Sequence, residues 1–195
     1  MTTFNTFRTL ITALLIISFL SGCVWVAAGA AAVTTIDISR DRRTTGSYID
    51  DQLIETKATY ALGTDAALKG DTHFNVTSMN GVVLLTGEAP KAEQRTQAVD
   101  LVQKVPQVRQ VVNEVQLADK SSMSSRSNDS WITSKVKSFM LASPDIQGQR
   151  VKVVTENGVV YLMGLATRDE AERVAAEAAS TSGVQRVVKL FELLD

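Results

Sequence analysis

The sequence predicts an α+β protein built from two tandem copies of one αββαβ module. Residues 80–87 read Asn-Gly-Val-Val-Leu-Leu-Thr-Gly, and residues 157–164 repeat the pattern as Asn-Gly-Val-Val-Tyr-Leu-Met-Gly, 77 positions later. Each copy is typical of a β-hairpin, because Asn-Gly tolerates the positive φ angles of a two-residue type I′ turn. Stripes of apolar residues at helical spacing precede and follow both hairpins. Two matched copies in matched surroundings indicate duplication rather than chance.

Residues 1–22 are predicted to be a lipoprotein signal peptide. An apolar run over residues 10–20 follows the basic Arg8, and it is shorter than the ~20 residues that a membrane-spanning helix needs. The run ends in Leu20-Ser21-Gly22-Cys23, which looks like a bacterial lipobox. The alternative is a plain signal peptide with a chance cysteine. Cys23, the one cysteine in the chain, is therefore the predicted lipid-attachment residue, modified with acyl chains such as palmitate.

Residues 23–47 are predicted to be a lipidated tether. Val24 follows the cysteine where lipoproteins retained in the inner membrane generally carry aspartate, so the sequence favours the outer membrane. Arg40, Arg42 and Arg43 form a short basic cluster near the end of the tether. The cluster has two interpretations, a solvated linker or an electrostatic contact with anionic lipid at roughly 1 kcal/mol per charge.

Residues 48–118 form the first copy. A helix is predicted over residues 49–62, and the hairpin follows it. A second helix is expected to begin near Pro90, because proline suits the first turn of a helix. The last strand is predicted over residues 108–117. The helix stripes consist of Ile54, Ala58, Ala61 and Leu62, and then Ala98, Leu101, Val102 and Val105.

Residues 128–195 form the second copy, after a serine-rich stretch at residues 119–127 that is predicted to be a flexible polar linker. Trp131 is expected to begin its first helix. Thr167 and Glu170 form a predicted capping box at the start of its second helix. The last strand is predicted over residues 184–194. The helix stripes consist of Ile132, Val136, Phe139 and Met140, and then Ala171, Val174, Ala175, Ala178 and Ala179.

Each copy is expected to place two helices on one face of a three-stranded sheet. The second strand of each hairpin is almost continuously apolar, which predicts a central position in the sheet. At about 70 residues, each copy has barely enough chain to bury an adequate core. Packing of one copy on the other is therefore plausible, although the sequence does not establish it.

The sequence does not predict an enzyme. It has no Gly-rich phosphate loop, no cluster of metal ligands and no Gly-x-Ser-x-Gly elbow, so no cofactor and no metal are expected. The one histidine, His73, is interpreted as an ordinary residue at a strand start. Glu170, Glu172 and Glu177 are interpreted as the solvated face of a capped helix. A formal net charge of −1 gives no indication of nucleic acid binding.

The modules resemble BON domains over residues 48–195. The resemblance rests on the Asn-Gly-x-Val-x-Leu-x-Gly hairpins, and it is strongest over residues 127–133 and 155–165. A lipobox followed by two such modules is similar to the dual-BON outer-membrane lipoproteins. This resemblance implies binding of anionic phospholipid, a periplasmic position on the outer membrane, a role in envelope integrity and enrichment at the division site. It implies no catalysis. The alternative function is a protein-interaction module that assists outer-membrane protein assembly.

A row on the first helix of the second copy is the candidate phospholipid-binding site: Trp131, Ser134, Lys135 and Ser138. This outer row lies roughly 125° around the helix from the apolar stripe, at 100° per residue. An indole suits membrane interfaces, an ammonium suits phosphate, and the serines are expected to donate hydrogen bonds. The first copy has Leu53 at the aligned position. The alternative is that Trp131 packs against the linker or the first module.

Charge distinguishes the two copies as well. The first copy has six basic and nine acidic residues, a net charge of −3, whereas the second has eight basic and nine acidic residues, a net charge of −1. The second module is therefore expected to bind anionic liposomes in isolation, and the first weakly or not at all.

Overall fold

The computed structural model describes residues 44–143, 146 and 148–194. Both copies have the predicted αββαβ order, with a short 3-10 turn at Gly148–Arg150 in the second. The predicted signal peptide, Cys23 and the tether up to residue 43 lie outside the described residues. The first module contains α1 (Thr45–Thr64), β1 (His73–Met79), β2 (Val82–Ala89), α2 (Ala92–Gln103) and β3 (Gln110–Leu117), and the second contains α3 (Met123–Ala142), β4 (Lys152–Glu156), β5 (Val159–Ala166), α4 (Arg168–Ser180) and β6 (Arg186–Leu193).

The strands form two three-stranded sheets, in the orders β1-β2-β3 and β4-β5-β6. The hairpin strands pair antiparallel, and the last strand of each module pairs parallel with the second strand. The strands predicted to be central, β2 and β5, are central in both sheets. Their near-continuous apolar sequence follows from this position, because both of their faces are covered.

The hairpin turns have the predicted geometry. Asn80 and Gly81 have φ angles of 52° and 76°, and Asn157 and Gly158 have φ angles of 49° and 73°. A carboxylate of the preceding helix stabilises each turn by accepting hydrogen bonds from its backbone N–H groups. Asp51 accepts at 2.8 and 2.9 Å in the first module, and Asp129 accepts at 3.0 and 2.9 Å in the second. Sequence reasoning did not find this aspartate.

The outer face of each sheet packs against its two helices. In the first module this core contains Ile54, Ala58, Val83, Leu85, Ala98 and Val102, and in the second it contains Ile132, Val136, Met140, Val160, Leu162, Val174 and Ala178. The predicted capping box of α4 is present: Glu170 N–H donates to Thr167 Oγ1 at 3.3 Å, and Thr167 N–H donates to Glu170 Oε2 at 2.8 Å. The predicted arrangement of two helices on one face of each sheet is therefore confirmed.

Helix α3 begins earlier than predicted. It starts at Met123, inside the serine-rich stretch, so residues 123–127 are helical rather than flexible linker, and Trp131 is the ninth residue of the helix rather than its first. The reason is a cap: Ser122 Oγ accepts a hydrogen bond from Ser125 N–H at 3.1 Å. Serine disfavours a helix interior but is a preferred N-cap. The connection between the two modules is therefore only residues 118–122.

Two residues assigned to apolar stripes lie outside the core. Phe139 is 48% exposed, and Ala179 is also exposed. The buried side of α3 follows Asp129, Ile132, Val136 and Met140 instead. Phe139 lies about 65° from the centre of this set at 100° per residue, at the edge of the buried stripe.

The inner faces of the two sheets pack against each other, which gives four layers in the order helix, sheet, sheet, helix. We call this interface the junction. Its apolar centre contains Met79, Leu84, Val159, Tyr161 and Met163, with Val82, Val112, Val154, Leu165, Val188 and Leu190 around them. Lys152 adds a contact at one edge, since its Nζ lies 2.7 Å from both Glu55 Oε1 and Ser78 O. The packing that the sequence left open is thus observed.

One end of the junction, beside the second turn, is polar. Glu156 is 2% exposed, and its Oε2 accepts hydrogen bonds from Asn75 Nδ2 at 2.7 Å and Thr86 Oγ1 at 3.1 Å. Its Oε1 lies 4.0 Å from His73 Nε2. Glu88 is 1% exposed and accepts a hydrogen bond from Asn157 Nδ2 at 2.6 Å. Each buried carboxylate of this polar end therefore accepts hydrogen bonds from the opposite module.

The other end, beside the first turn, is apolar. Met79 and Met163 lie at its floor, and polar contacts lie at its rim. There Glu192 Oε2 accepts a hydrogen bond from Asn80 Nδ2 at 2.8 Å and lies 3.8 Å from Arg109 Nη1. We call this the apolar end. The two asparagines of the turns thus donate across the junction, each to a glutamate of the other module.

Candidate functional site

The outer row lies on the solvent-facing side of α3. Trp131 is 64% exposed, Ser134 and Ser138 are exposed, and Lys135 is half-buried. The alternative in which Trp131 packs against the linker or the first module is therefore wrong. The structure places the four predicted residues together along one side of the helix, opposite the buried Ile132, Val136 and Met140.

Contacts at the buried side fix the orientation of this helix. Asp129 accepts hydrogen bonds from the second turn, and Thr133 Oγ1 donates to Thr155 Oγ1 of β4 at 2.7 Å. Gly183 allows close approach of the α4–β6 connection, because a Cβ there would lie 3.1 Å from Ile132 Cγ1. These contacts fix the rotation of α3 about its axis and so determine which side chains face outward.

The two serines do not act as predicted. Ser134 Oγ donates to Ser130 O at 2.9 Å, and Ser138 Oγ donates to Ser134 O at 2.8 Å. A serine hydroxyl has one proton to donate, and in both residues it is used within the helix. The serines therefore provide a small, polar surface with acceptor oxygens rather than hydrogen-bond donors for a phosphate.

Lys135 bridges two elements of the second module. Its Nζ donates to Ser182 O, just beyond the C-terminal end of α4. Unpaired carbonyls at a helix C-terminus attract cations, which explains this position. An ammonium group has three donors, so this contact leaves the side of Nζ that faces away from Ser182 available to an anion.

Sequence reasoning missed two exposed apolar residues of α3, which lie about 80° to either side of Trp131 at 100° per residue. Phe139 is 48% exposed and Leu141 is 58% exposed. Phe139 follows Trp131 by eight residues, or about 12 Å along the helix axis at 1.5 Å per residue. No sequence signal separated Phe139 from the core stripe, because the residue lies at the edge of that stripe on the helical wheel. Helix α3 thus presents an indole, a phenyl ring and an isobutyl group to solvent, with Lys135 and Lys137 among them.

The equivalent helix of the first module has a different surface. Asp51 and Asp129 bind equivalent turns, which aligns Leu53 with Trp131 and Tyr60 with Ser138. Leu53 is 44% exposed and Tyr60 is 71% exposed, and Ile49 one turn earlier is 52% exposed. Helix α1 therefore also has an exposed apolar side, without an indole, on the opposite outer layer of the molecule.

The described residues contain no helix that is long and apolar enough to cross a membrane. Within the same residues, no three His, Cys, Asp or Glu side chains come together as metal ligands. Apolar rings and a flanking cation project from the outer part of α3, a helix that is fixed to its sheet.

Comparison with known proteins gives consistent matches. The model of the BON domain matches residues 50–119 and 128–195. The chain is 40% identical over 177 residues to the outer membrane lipoprotein DolP of Haemophilus influenzae, and the aligned residues cover 91% of each chain. It is 37% identical to a 21 kDa hemolysin of Actinobacillus pleuropneumoniae, over 77% of this chain and 78% of the relative. It is 29% identical to the osmotically-inducible protein Y of Escherichia coli K12, over 73% of this chain and 72% of the relative.

Proposed function

We propose that this chain, which belongs to the BON domain family, is an outer-membrane lipoprotein that binds anionic phospholipid through the exposed side of α3 and supports envelope integrity. Acyl chains on Cys23 would hold it at the periplasmic face of the outer membrane. Similarity to an outer membrane lipoprotein over 91% of the chain supports the location. The role is one of binding rather than catalysis. We extend the proposal to enrichment at the division site, where new envelope is assembled.

One observation carries the lipid-binding proposal: Trp131 projects from the helix with 64% of its surface exposed. An indole ring combines a large apolar area with an N–H group that stays hydrated, and it is enriched at membrane interfaces for that reason. Phe139 and Leu141 extend the apolar area along the same helix. Lys135 and Lys137 add positive charge beside it, which favours anionic headgroups at about 1 kcal/mol per charge near the surface.

A modest affinity suffices for this contact. A chain anchored through Cys23 stays near the bilayer, so binding of α3 to lipid is effectively intramolecular. One acyl chain gives marginal membrane binding, whereas two or more give stable anchoring. The acyl group would thus determine location, and α3 would determine orientation on the lipid surface.

The test uses residues 24–195, without the predicted signal peptide and Cys23, so that neither an apolar segment nor an acyl group obscures the contact. Both modules are kept, because separation would expose the apolar inner face of each sheet. We expect Trp131→Ala to weaken binding to phosphatidylglycerol-containing liposomes, and Lys135→Glu to weaken it by about fivefold or more, from at least 1 kcal/mol of surface electrostatics. Co-sedimentation measures binding, and the thermal midpoint reports folding.

Leu53→Ala is the matched control, because it removes the aligned side chain from α1. It should leave liposome binding unchanged. Unchanged binding in both α3 variants, with unchanged thermal midpoints, would contradict the proposal. A large loss of stability in Trp131→Ala would instead assign this residue a structural role.

A second function is favoured by the exposed side of α1. Ile49, Leu53 and Tyr60 lie on the layer opposite α3, so a bilayer that contacts α3 leaves them accessible. Exposed apolar patches of this kind mark interaction sites. The alternative is therefore a protein-interaction module that assists outer-membrane protein assembly, and it predicts that Leu53→Glu abolishes partner capture while liposome binding is retained.

A further inference from the structure

The apolar end of the junction opens into a cleft of about 410 Å³ between the two modules. Met79 and Met163 form the buried floor, and the half-buried Val82, Val112, Leu190 and Phe191 form the walls. Small-molecule sites occupy roughly 300–1,000 Å³ and are common at domain interfaces. This volume is at the lower end of that range, so it suits one acyl chain rather than two.

The chemistry of this cleft does not follow from the repeat. Met163, Leu165 and Leu190 of the second module align with Thr86, Glu88 and Glu114 of the first, and Met79 aligns with Glu156. A junction with repeated chemistry would have the same character at both ends. Instead the apolar side chains are collected at one end, and two of them are methionines, whose flexible thioethers adapt to irregular apolar ligands.

Two cations stand at the rim of the cleft. Arg109 Nη1 donates to Asn80 O at 2.9 Å and lies 3.8 Å from Glu192, with 59% of the arginine side chain exposed. Lys189 Nζ lies 2.6 Å from Glu172, with 45% of the lysine side chain exposed. Ion pairs this exposed contribute little to stability, so an anionic ligand can replace either carboxylate at small cost. The planar guanidinium is suited to bidentate contact with a phosphate.

We propose that the cleft binds the acyl chain of a single-chain anionic phospholipid, with its phosphate held by Arg109 at the rim. The apolar floor accounts for the acyl chain. Arg109, which the phosphate would take from its exposed pairing with Glu192, accounts for the preference for a negative charge. This site lies between the modules, whereas the outer row lies on α3. It is therefore independent of the proposed function, and either can fail without the other.

Methionine methyl NMR tests this site directly. The same chain of residues 24–195, labelled at its methionine methyl groups, is titrated with lysophosphatidylglycerol below its micelle concentration. Met79 and Met163 report on the cleft, while Met123 and Met140 report on α3. We expect saturable shifts at Met79 and Met163, weaker shifts with lysophosphatidylcholine of the same chain length, and none with glycerophosphoglycerol, which has no acyl chain.

Three variants complete the test. Arg109→Glu should weaken binding by about tenfold or more, the loss expected for one charge-assisted hydrogen bond. Lys104→Glu makes the same charge change outside the cleft and should leave the affinity unchanged. Val112→Phe should fill the cleft and abolish the shifts. The proposal is overturned by shifts confined to Met123 and Met140, by equal shifts with glycerophosphoglycerol, or by equal losses in Arg109→Glu and Lys104→Glu.

Discussion

The two ends of the junction are built from aligned positions of the same repeat, yet they hold the modules together in different ways. At the polar end, Glu88 and Glu156 are buried and accept hydrogen bonds from the opposite module. At the apolar end, Met79 and Met163 pack at the floor, and the glutamate that crosses the interface, Glu192, is exposed at the rim. Duplication therefore preserved the backbone and both asparagine donors, while the side chains between the modules diverged.

The difference shows how the relative position of the modules is specified. Apolar contacts supply most of the free energy but tolerate sliding, because they are non-directional. Buried hydrogen bonds have strict geometry, and leaving one unmade costs about 1–3 kcal/mol. We infer that the apolar end contributes more stability and that the polar end fixes the register of one sheet on the other.

The largest expected effect comes from truncation at the apolar end. Met163 is fully buried, and Met163→Ala should lower the free energy of unfolding by about 2–5 kcal/mol. Thr86→Val at the aligned position of the polar end removes one hydrogen bond to Glu156 and should cost about 1.5 kcal/mol. Urea denaturation followed by circular dichroism measures both changes. The reverse order of the two losses would refute the assignment of stability to the apolar end.

A smaller effect is expected from the two glutamates that accept from the turn asparagines. Glu88→Ala leaves Asn157 Nδ2 and the Ser121 N–H without their acceptor in a buried site, so it should cost about 1–3 kcal/mol. Glu192→Ala removes the same kind of contact at the exposed rim and should cost no more than about 1 kcal/mol. Equal losses in these two variants would mean that burial does not distinguish the two ends.

The smallest effect depends on pH. Burial raises the pKa of Glu156 above its usual value of 4.5, although Asn75 opposes the shift with a hydrogen bond. The folded state therefore binds this proton more tightly than the unfolded state. Its contribution to stability is complete below pH 4.5 and is lost as the pH rises through the raised pKa.

Glu156→Gln keeps the shape of the side chain and an acceptor for Asn75, but it cannot ionise. We expect its free energy of unfolding, relative to the parent chain, to increase as the pH rises from 4.5 towards neutrality. Thermal denaturation across this range measures the difference. If the difference between the two free energies of unfolding did not change with pH, Glu156 would keep one protonation state over the whole range, and the prediction would be wrong.

The contribution of His73 to stability depends on pH in the opposite direction. Burial lowers its pKa below 6.5, with Arg126 adding to the shift, so its contribution is complete above pH 6.5 and is lost as the pH falls through the lowered pKa. The effect of Glu156→Gln is therefore measured again in a His73→Gln background. The pH-dependent gain should persist there, because it originates in the carboxyl group.

Most of the fold was predictable because its signals are local. Asn-Gly turns, alternating strands, helical stripes and the Thr167–Glu170 capping box each depend on residues close in sequence. The start of α3 was not predictable. The five serines over residues 119–127 indicated a flexible linker, and this outweighed the single N-cap signal at Ser122. The orientation of the sheets was also hidden, because a central strand such as Val159–Ala166 is apolar on both faces whether a helix or another sheet covers it.

The candidate site was predictable in part. Helical periodicity correctly placed Trp131 on the exposed side of its helix, because rotation about the axis depends only on spacing. The hydrogen bonding of Ser134 and Ser138 could not be predicted. The sequence does not distinguish a serine whose hydroxyl bonds to its own helix from one whose hydroxyl is available to a ligand. Phe139 was assigned to the core because an aromatic residue at the edge of a stripe looks like a member of it.

The mutual covering of the two inner faces has a consequence for biosynthesis. A chain is made and exported from its N-terminus, so the first sheet is complete before α3 has emerged. Until the second sheet follows, Leu84 and Val112 face water, and the unpaired surface is prone to aggregation. The newly made first half therefore needs either a holding chaperone or a delay in its own folding until the second half arrives.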